Sequence, residues 1–261
     1  MNFFQTNSQI PFRADLKSLV AGDPVQQFIM TNYLYNFRGH SDFTIFHWQF
    51  VRIRQILKVI DVNDLKKMRI LDVGGGFGHI GAFFAQLGAE VISIEGRRIN
   101  CNMANIIHKD QDNFSSICLN VHQDESEIIK LGNFDFIICF GFFEVLHTIE
   151  NLIGIFSKIT KSVFCETIVV DSIDPNCTVK VDWSELSGDK DYDDRPVGDN
   201  KVATIFSPAY IQVVFEKFGF KHWNLFTKAL NTQRHWYEWE HKNTGKVQMK
   251  PCLRRFWLFS K

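Results

Sequence analysis

Apolar residues along the chain follow two spacings, one typical of helices and one typical of buried strands. Residues 43–60 carry apolar side chains every three or four positions, which predicts a helix that leads into the domain. Short apolar runs follow, and stretches with helical spacing lie between them. We predict strands at 69–73, 91–95, 115–123, 134–140 and 162–170, and helices at 79–88, up to about 109, and at 149–160. Strands that alternate with helices indicate a parallel sheet with right-handed crossovers.

The alternation breaks at residues 171–204, an acidic and turn-rich stretch. A loop of that length is uncommon in a compact domain and is usually functional or mobile, so we predict a long loop here. Ser207 and Pro208 then form the N-cap and N1 pair that opens a helix. Further strands are predicted at 220–230 and 253–260.

Composition narrows the class of protein. Lysine plus arginine equals aspartate plus glutamate at 29 each, so the chain lacks the basic surplus typical of nucleic-acid binding and we expect no nucleic-acid partner. No apolar run approaches the ~20 residues that span a bilayer, and the N-terminus lacks the pattern of a signal peptide. The six cysteines match no zinc spacing. We therefore predict reduced, buried thiols, no metal site, no membrane association and a cytoplasmic location.

A glycine-rich loop follows the first predicted strand, in the segment LDVGGGFGHIG at residues 71–81. Such a loop lets a ligand approach the backbone closely, and it exposes main-chain N–H groups at the start of the next helix. Glu95 ends the second strand, 21 positions beyond Gly74. A carboxylate at that place can accept hydrogen bonds from ribose hydroxyls.

Two ligands compete for this loop. The glycines at 76, 78 and 81 match the dinucleotide fingerprint Gly-x-Gly-x-x-Gly, which indicates NAD(P). An ionised Asp72, two residues before the first glycine, disfavours a pyrophosphate and favours a cationic ligand such as S-adenosylmethionine (SAM). A glycine-rich turn that binds no ligand is the third interpretation.

The segment DVGGGFG resembles motif I of the class I SAM-dependent methyltransferases. VISIEG at 91–96 resembles the acidic strand end that follows motif I in that family. NFDFIICFGFFEVLHTIEN at 133–151 resembles the fourth-strand motif, and SPAYIQVVFEKFGFKHWNLF at 207–226 resembles the late helix and the strand after it. The resemblance covers about residues 50–261.

The resemblance implies an α/β, Rossmann-like fold with a mostly parallel seven-stranded sheet, an antiparallel last strand and helices on both faces. We expect an N-terminal helical extension or lid over 1–60 and a SAM-binding methyltransferase domain over 61–261. The cofactor is then SAM and its product S-adenosylhomocysteine (SAH). Within that family pattern Asp124 matches the residue that caps the adenine amino group, and Phe140 with Gly141 would line the methionine end. The implied cofactor-binding residues are Asp72, Gly74, Gly75, Gly76, Gly78, Glu95, Gly96, Asp124, Phe140 and Gly141.

Three side chains near the ends of the fourth and fifth strands are candidates for a general base. Many small-molecule relatives carry a histidine at the place of Val145, so either His147 takes that role or the role is absent. Glu144 is a second candidate. Glu166 either points toward the ligand edge or belongs to a structural pair. Arg52, on the first predicted helix, either reaches the cofactor's carboxylate or lies on a solvated face.

Missing motifs restrict the acceptor. The segment Phe140-Gly141-Phe142-Phe143 lacks the prolines of DNA amino-methyltransferases, and the Pro251-Cys252 pair lies far from where cytosine-C5 enzymes carry theirs. The paired-glutamate hairpin of arginine methyltransferases is not evident either. We therefore predict methyl transfer to an O or N atom of a small-molecule or saccharide-type acceptor. The alternatives are a catalytically inactive SAM-binding scaffold and an NAD(P)-dependent oxidoreductase.

Overall fold

Backbone packing separates the protein into two compact units, the first ending at Cys118 and the second beginning at Leu119. The computed structural model describes residues 49, 52–182, 202–224, 244–247 and 253–261. Most of the predicted extension over 1–60 lies outside these ranges, so the division at residue 60 stays a prediction. Within the described ranges, no helix combines the length and the apolar character needed to cross a bilayer.

Parallel strands and the helices between them build the first unit. Residues 52–57 are helical, which agrees with the C-terminal part of the helix predicted over 43–60. The elements after it are α1 (Val62–Leu65), β1 (Arg69–Val73), α2 (His79–Gln86), β2 (Glu90–Glu95), α3 (Arg98–Ile107) and β3 (Phe114–Cys118). Strand β2 pairs in parallel with β1 and with β3. Ligands of open α/β sheets bind outside the carboxyl ends of the strands, and here β1 and β2 end at Val73 and Glu95.

The second unit combines parallel and antiparallel pairing. Its elements are α4 (Glu125–Lys130), β4 (Phe136–Phe140), a 3-10 turn (Phe143–Val145), α5 (Glu150–Ile159), β5 (Ser162–Ile168), β6 (Thr178–Asp182), β7 (Val202–Phe206), α6 (Pro208–Lys217), β8 (Lys221–Asn224) and β9 (Arg254–Ser260). Strand β4 runs parallel to β5, whereas β9 is antiparallel to both β5 and β8. Aromatic side chains fill its core, and the rings of Phe215 and Phe259 stack with their centroids 3.6 Å apart.

In the described part of the chain the strands form a seven-stranded sheet in the order β3-β2-β1-β4-β5-β9-β8, and a separate two-stranded sheet. The predicted α/β architecture with an antiparallel last strand is confirmed. The third strand is shorter than predicted, because β3 ends at Cys118 and the chain then turns. In that turn Asn120 accepts main-chain hydrogen bonds from Gln123 and Asp124.

Two antiparallel strands, β6 and β7, fall in the stretch predicted as a loop over 171–204, β7 at its end. Strands β6 and β7 pair in antiparallel register from Thr178 opposite Phe206 to Asp182 opposite Val202. The loop prediction was wrong at these strands, because the run TVKVD alternates polar and apolar residues and β7 is largely buried. Ile168 and Val170, at and just beyond the end of β5, pack in one cluster with Ala203 and Ile205 of β7.

The predicted helix start at Ser207 is confirmed. Its hydroxyl accepts a hydrogen bond from the Tyr210 N–H at 3.0 Å, and Pro208 occupies the first turn. The same hydroxyl donates to the Asp174 carbonyl at 2.7 Å. The cap therefore also joins α6 to the segment that precedes β6.

Candidate cofactor site

The glycine-rich loop satisfies most of its own amides. The N–H groups of Gly74 and Gly75 donate to the Ile94 carbonyl at 2.9 and 3.4 Å, and the Gly78 N–H donates to the Gly75 carbonyl at 2.9 Å. Of these glycines only Gly78, the N-cap of α2, lies at the helix start where exposed amides were expected, and its N–H is bonded within the loop. A pyrophosphate cradle needs amides that point at the ligand, so this geometry disfavours a dinucleotide.

Glu95 closes the loop from the end of β2. Its carboxylate accepts the Gly76 N–H at 3.1 Å on one oxygen and the Arg97 N–H at 2.9 Å on the other. Asn100 donates to that second oxygen at 3.4 Å. The side chain is half-buried at the carboxyl edge of the strand, next to the equally half-buried Gly96. A carboxylate has about four acceptor positions and three are used here, so Glu95 can still accept a ribose hydroxyl.

Asp72 lies beneath the loop, with only 3% of its surface exposed. Burial raises the pKa of Asp72 to about 7; the Gly81 N–H opposes that rise, the charge of Glu95 adds to it, and Arg52 lowers it. Asp72 is therefore only partly ionised at neutral pH. It disfavours a pyrophosphate less than the full charge expected from the sequence would. Arg52 acts on this carboxyl because the helical segment at 52–57 lies near the loop.

The backbone at Gly75 and Gly76 differs in the space around it. A Cβ at Gly75 would lie 2.1 Å from the Ser93 Oγ and 2.6 Å from the Asp72 Oδ2, so glycine is required there. Among the described residues, neither of those two oxygen atoms has a hydrogen-bond partner. Gly76 has a φ of +59°, and no described atom lies within 4 Å of a Cβ built on it. The loop is therefore tightly packed below and open at Gly76.

The side chains of His108 and Phe114 pack against the end of the loop. The Nε2 of His108 lies 3.1 Å from the Phe77 carbonyl oxygen, which assigns the proton to that nitrogen. Gly78, with a φ of +73°, would place a Cβ 2.5 Å from the ring of Phe114. The rings of His108 and Phe114 meet edge to face at 5.1 Å. Burial lowers the pKa of His108, so the ring stays neutral.

The other residues assigned to the cofactor lie in the second unit. The Asp124 carboxylate accepts the Asn120 N–H at 2.7 Å and closes the turn after β3. Phe140 is buried at the end of β4, with its ring centroid 4.9 Å from that of Phe256. Gly141 follows with a φ of +62°, and its N–H donates to the Glu166 carbonyl at 2.7 Å. The cofactor-binding roles of Asp124, Phe140 and Gly141 stay predictions.

The structure places Glu144 and Glu166 in a buried charge cluster. Glu166 is 0% exposed, and Arg254 donates to both of its carboxylate oxygens. Glu144, 4% exposed, accepts the Thr167 hydroxyl at 2.6 Å and lies 3.5 Å from the Arg254 Nη2. Of the two interpretations of Glu166, the structural pair is the one observed. Neither carboxylate is exposed to accept a proton from an acceptor molecule.

His147 differs from the two glutamates because it is exposed. It follows the 3-10 turn after β4 and lies close enough to the exposed His122 that its charge lowers the pKa of that histidine, after the larger effect of partial burial. Of the three predicted bases, His147 alone has an exposed side chain.

Several residues that shape the site were not predicted from the sequence: Ser93, His108, Thr167 and Arg254. An arginine within the apolar run LRRFWLFS was the available signal for Arg254, because a charge in a buried strand requires a buried partner. The aromatic segment 235–241 lies outside the described residues.

Comparison with known proteins decides the family. Residues 45–225, well over half of the chain, match the family described as the methyltransferase domain. The chain belongs to this family. The chain therefore carries a methyltransferase domain, and this assignment favours SAM over a dinucleotide in the loop. SAM stays the predicted cofactor, in agreement with this family.

Individual relatives of this methyltransferase agree with the assignment. A 107-residue segment is 33% identical to the ubiquinone biosynthesis O-methyltransferase of Rickettsia typhi, and it spans 39% of this chain and 40% of that protein. The N-terminal domain of EvdMO1 with SAH bound superimposes with a TM-score of 0.57 over 82% of this chain and 80% of that one. The same domain in the presence of SAH and D-fucose gives 0.59 over 93% and 97%. At 15% identity these two structures show a shared fold.

Proposed function

We propose that this methyltransferase transfers the methyl group of SAM to an O or N atom of a small-molecule or saccharide-type acceptor. The observation that carries the cofactor part is the hydrogen bond from the Gly76 N–H to Glu95 at 3.1 Å. It fixes a half-buried carboxylate at the carboxyl end of β2, beside a glycine loop that is open at Gly76. An acidic strand end beside such a loop suits the ribose of a nucleoside.

The residues present fit SAM. The N–H groups of the glycines at 74, 75, 76 and 78 donate within the protein, which favours a ligand without phosphate at these positions. Glu95 and the partly ionised Asp72 place negative charge near the carboxyl ends of β2 and β1, which suits a cation. When bound, SAM supplies a methyl group activated by its sulfonium. Glu95 would hold the ribose, and Asp124, Phe140 and Gly141 are the proposed contacts to adenine and to the methionine end.

His147 is the proposed general base. In methyl transfer the acceptor oxygen or nitrogen forms a bond to the methyl carbon while the carbon–sulfur bond breaks and its electron pair stays on sulfur. The acceptor's proton then needs a place to go, and the exposed imidazole of His147 would take it. Glu144 and Glu166 are engaged with Thr167 and Arg254, so they are not proposed for this step.

The acceptor class rests on two kinds of support. The segment after β4 lacks the prolines of DNA amino-methyltransferases, and the chain carries no basic surplus. One relative is an O-methyltransferase of ubiquinone biosynthesis, and the matching EvdMO1 domain was crystallised in the presence of D-fucose. Phenols and deoxysugars are therefore the first acceptors to test.

The proposal is tested by transfer of tritium from methyl-labelled SAM. The acceptor panel contains catechols and other phenols, free 6-deoxyhexoses including D-fucose, primary amines, and tRNA and protein as macromolecular controls. Label in a phenol, sugar or amine, lost in His147→Gln but kept in His222→Gln, supports the proposal. Label in tRNA or protein alone contradicts the acceptor class. SAH binding without transfer to any acceptor favours the inactive scaffold.

A further inference from the structure

The segment 141–147 carries two residues that the proposed function uses, Gly141 at its start and the exposed His147 at its end. Its start is attached to β5, because the Gly141 N–H donates to the Glu166 carbonyl at 2.7 Å. Its middle is the 3-10 turn, whose amides at Val145 and Leu146 donate to carbonyls three residues back at 3.1 and 3.0 Å. A single 3-10 turn is weak by itself. Its position therefore depends on side-chain contacts.

Glu144 supplies those contacts from within the turn. One carboxylate oxygen accepts the Thr167 hydroxyl at 2.6 Å, and the other lies 3.5 Å from the Arg254 Nη2. Arg254 in turn donates to both oxygens of Glu166. Glu166 thus holds the segment twice, through its carbonyl at Gly141 and through Arg254 at Glu144.

Burial makes this cluster sensitive to the loss of any member. The exposed fractions of Arg254, Glu144 and Glu166 are 2%, 4% and 0%. A buried charge is tolerated only where partners and hydrogen bonds compensate for the lost water. Two carboxylates share one guanidinium, so Glu144 depends on the Thr167 hydroxyl as a second donor. The rotamer of Glu144, and with it the turn, is fixed by Thr167 and Arg254.

We infer that Thr167 and Arg254 are positioning residues for methyl transfer, which act by holding the turn between Gly141 and His147 in one conformation. This inference rests on the proposed function, because it requires that the segment contacts the cofactor and the acceptor. The Thr167 hydroxyl donates to Glu144 within the turn, so its effect on the segment passes through Glu144.

The test compares the same substitution near the end of β5 and just before its start. Thr167→Val removes the hydroxyl that holds Glu144. Thr160→Val removes a buried hydroxyl two residues before β5, where it donates to the Phe134 carbonyl at 3.0 Å. Thr167→Ser keeps the hydroxyl and serves as the conservative rescue. Each variant is measured for melting temperature, for SAH affinity by calorimetry and for amide hydrogen exchange in the peptide containing 141–147.

Both valine variants are expected to lower the melting temperature. Thr167→Val alone should speed exchange in the turn and raise the Kd for SAH by about tenfold each, corresponding to the loss of one hydrogen bond to a charged group. Thr167→Ser should restore both values. Equal exchange and equal SAH affinity in Thr167→Val and Thr160→Val would overturn the inference. A wild-type protein that binds neither SAM nor SAH would overturn the proposed function instead. The exchange rates would then still test whether Thr167 holds the turn.

Discussion

The Gly76 N–H and the Glu95 carboxylate are joined by a hydrogen bond of 3.1 Å, across the space between the loop after β1 and the end of β2. Both groups of this bond belong to the protein, so the fold itself orients the carboxylate. Preorganisation of this kind lowers the entropy lost when a ligand is held. It also couples Glu95 to the loop, so a substitution of Glu95 is expected to change the conformation of the loop.

Close packing under the loop predicts the effect of Gly75→Ala. Its Cβ would approach the Ser93 Oγ to 2.1 Å and the Asp72 Oδ2 to 2.6 Å, so the loop has to move. We expect a loss of about 1–3 kcal/mol in the free energy of unfolding, measured by urea denaturation. Gly154→Ala is the control, because its Cβ meets Phe218 at an ordinary 3.4 Å within α5. It should stabilise by up to about 1 kcal/mol, and equal effects of the two would contradict the packing account.

The buried Asp72 predicts a pH dependence of stability. Its pKa in the folded protein, about 7, lies above the unfolded value of ~3.9. Its contribution to stability is therefore complete below about pH 4 and is lost as the pH rises through about 7. Asp72→Asn does not titrate, so its unfolding free energy relative to wild type should increase by roughly 2–3 kcal/mol between pH 5 and pH 8. The exposed Asp112→Asn is the control, with a constant difference expected; a constant difference for Asp72→Asn would refute the assignment.

Arg254 predicts a large loss of stability. Arg254→Met leaves Glu166 and Glu144 buried without their cation, which costs about 3–5 kcal/mol. Arg69→Met is the comparison, because Arg69 pairs with Glu90 at 2.8 Å on the surface and such pairs contribute about 0–1 kcal/mol. Guanidinium denaturation measures both. Similar midpoints for the two variants would contradict the described role of Arg254 in the buried cluster.

The neighbouring, exposed His122 and His147 predict a change that is visible by NMR. The charge of His147 contributes to the lowered pKa of His122, after the larger contribution of burial. His147→Gln removes that charge, so the pKa of His122 should rise toward its ordinary value. Titration of the imidazole carbon–proton signals measures it, with His222→Gln as a control that leaves His122 unchanged. An unchanged or lower pKa in His147→Gln would contradict the described proximity.

Local signals allowed much of this architecture to be predicted from sequence. The run RILDV sets β1 at Arg69–Val73, Ser207 and Pro208 set the start of α6, and Glu95 ends β2 as its position in VISIE indicates. These features depend on neighbours a few positions away. The alternating pattern of β6 was also readable, but its short length inside an acidic stretch concealed it.

Other features depend on residues that are distant in sequence. Glu166 and Arg254 are 88 positions apart and meet only because β9 returns beside β5. The burial of Asp72 depends on Gly75, Gly81 and Ser93 packing around it. The sequence showed an acidic residue at the right place, whereas its raised pKa follows from the tertiary structure.

The most direct test of the cofactor site is calorimetric titration of SAH into the wild-type protein, Glu95→Gln and Glu90→Gln. Both substitutions remove one charge from β2, but Glu90 lies at the other end of the strand, paired with Arg69 on the surface. We predict micromolar binding to wild type and to Glu90→Gln, and binding weakened by about 10- to 100-fold in Glu95→Gln, because an amide cannot replace a carboxylate that holds the loop and is proposed to accept a ribose hydroxyl. Equal affinities for the two variants, or no binding of SAH to the wild-type protein, would contradict the account.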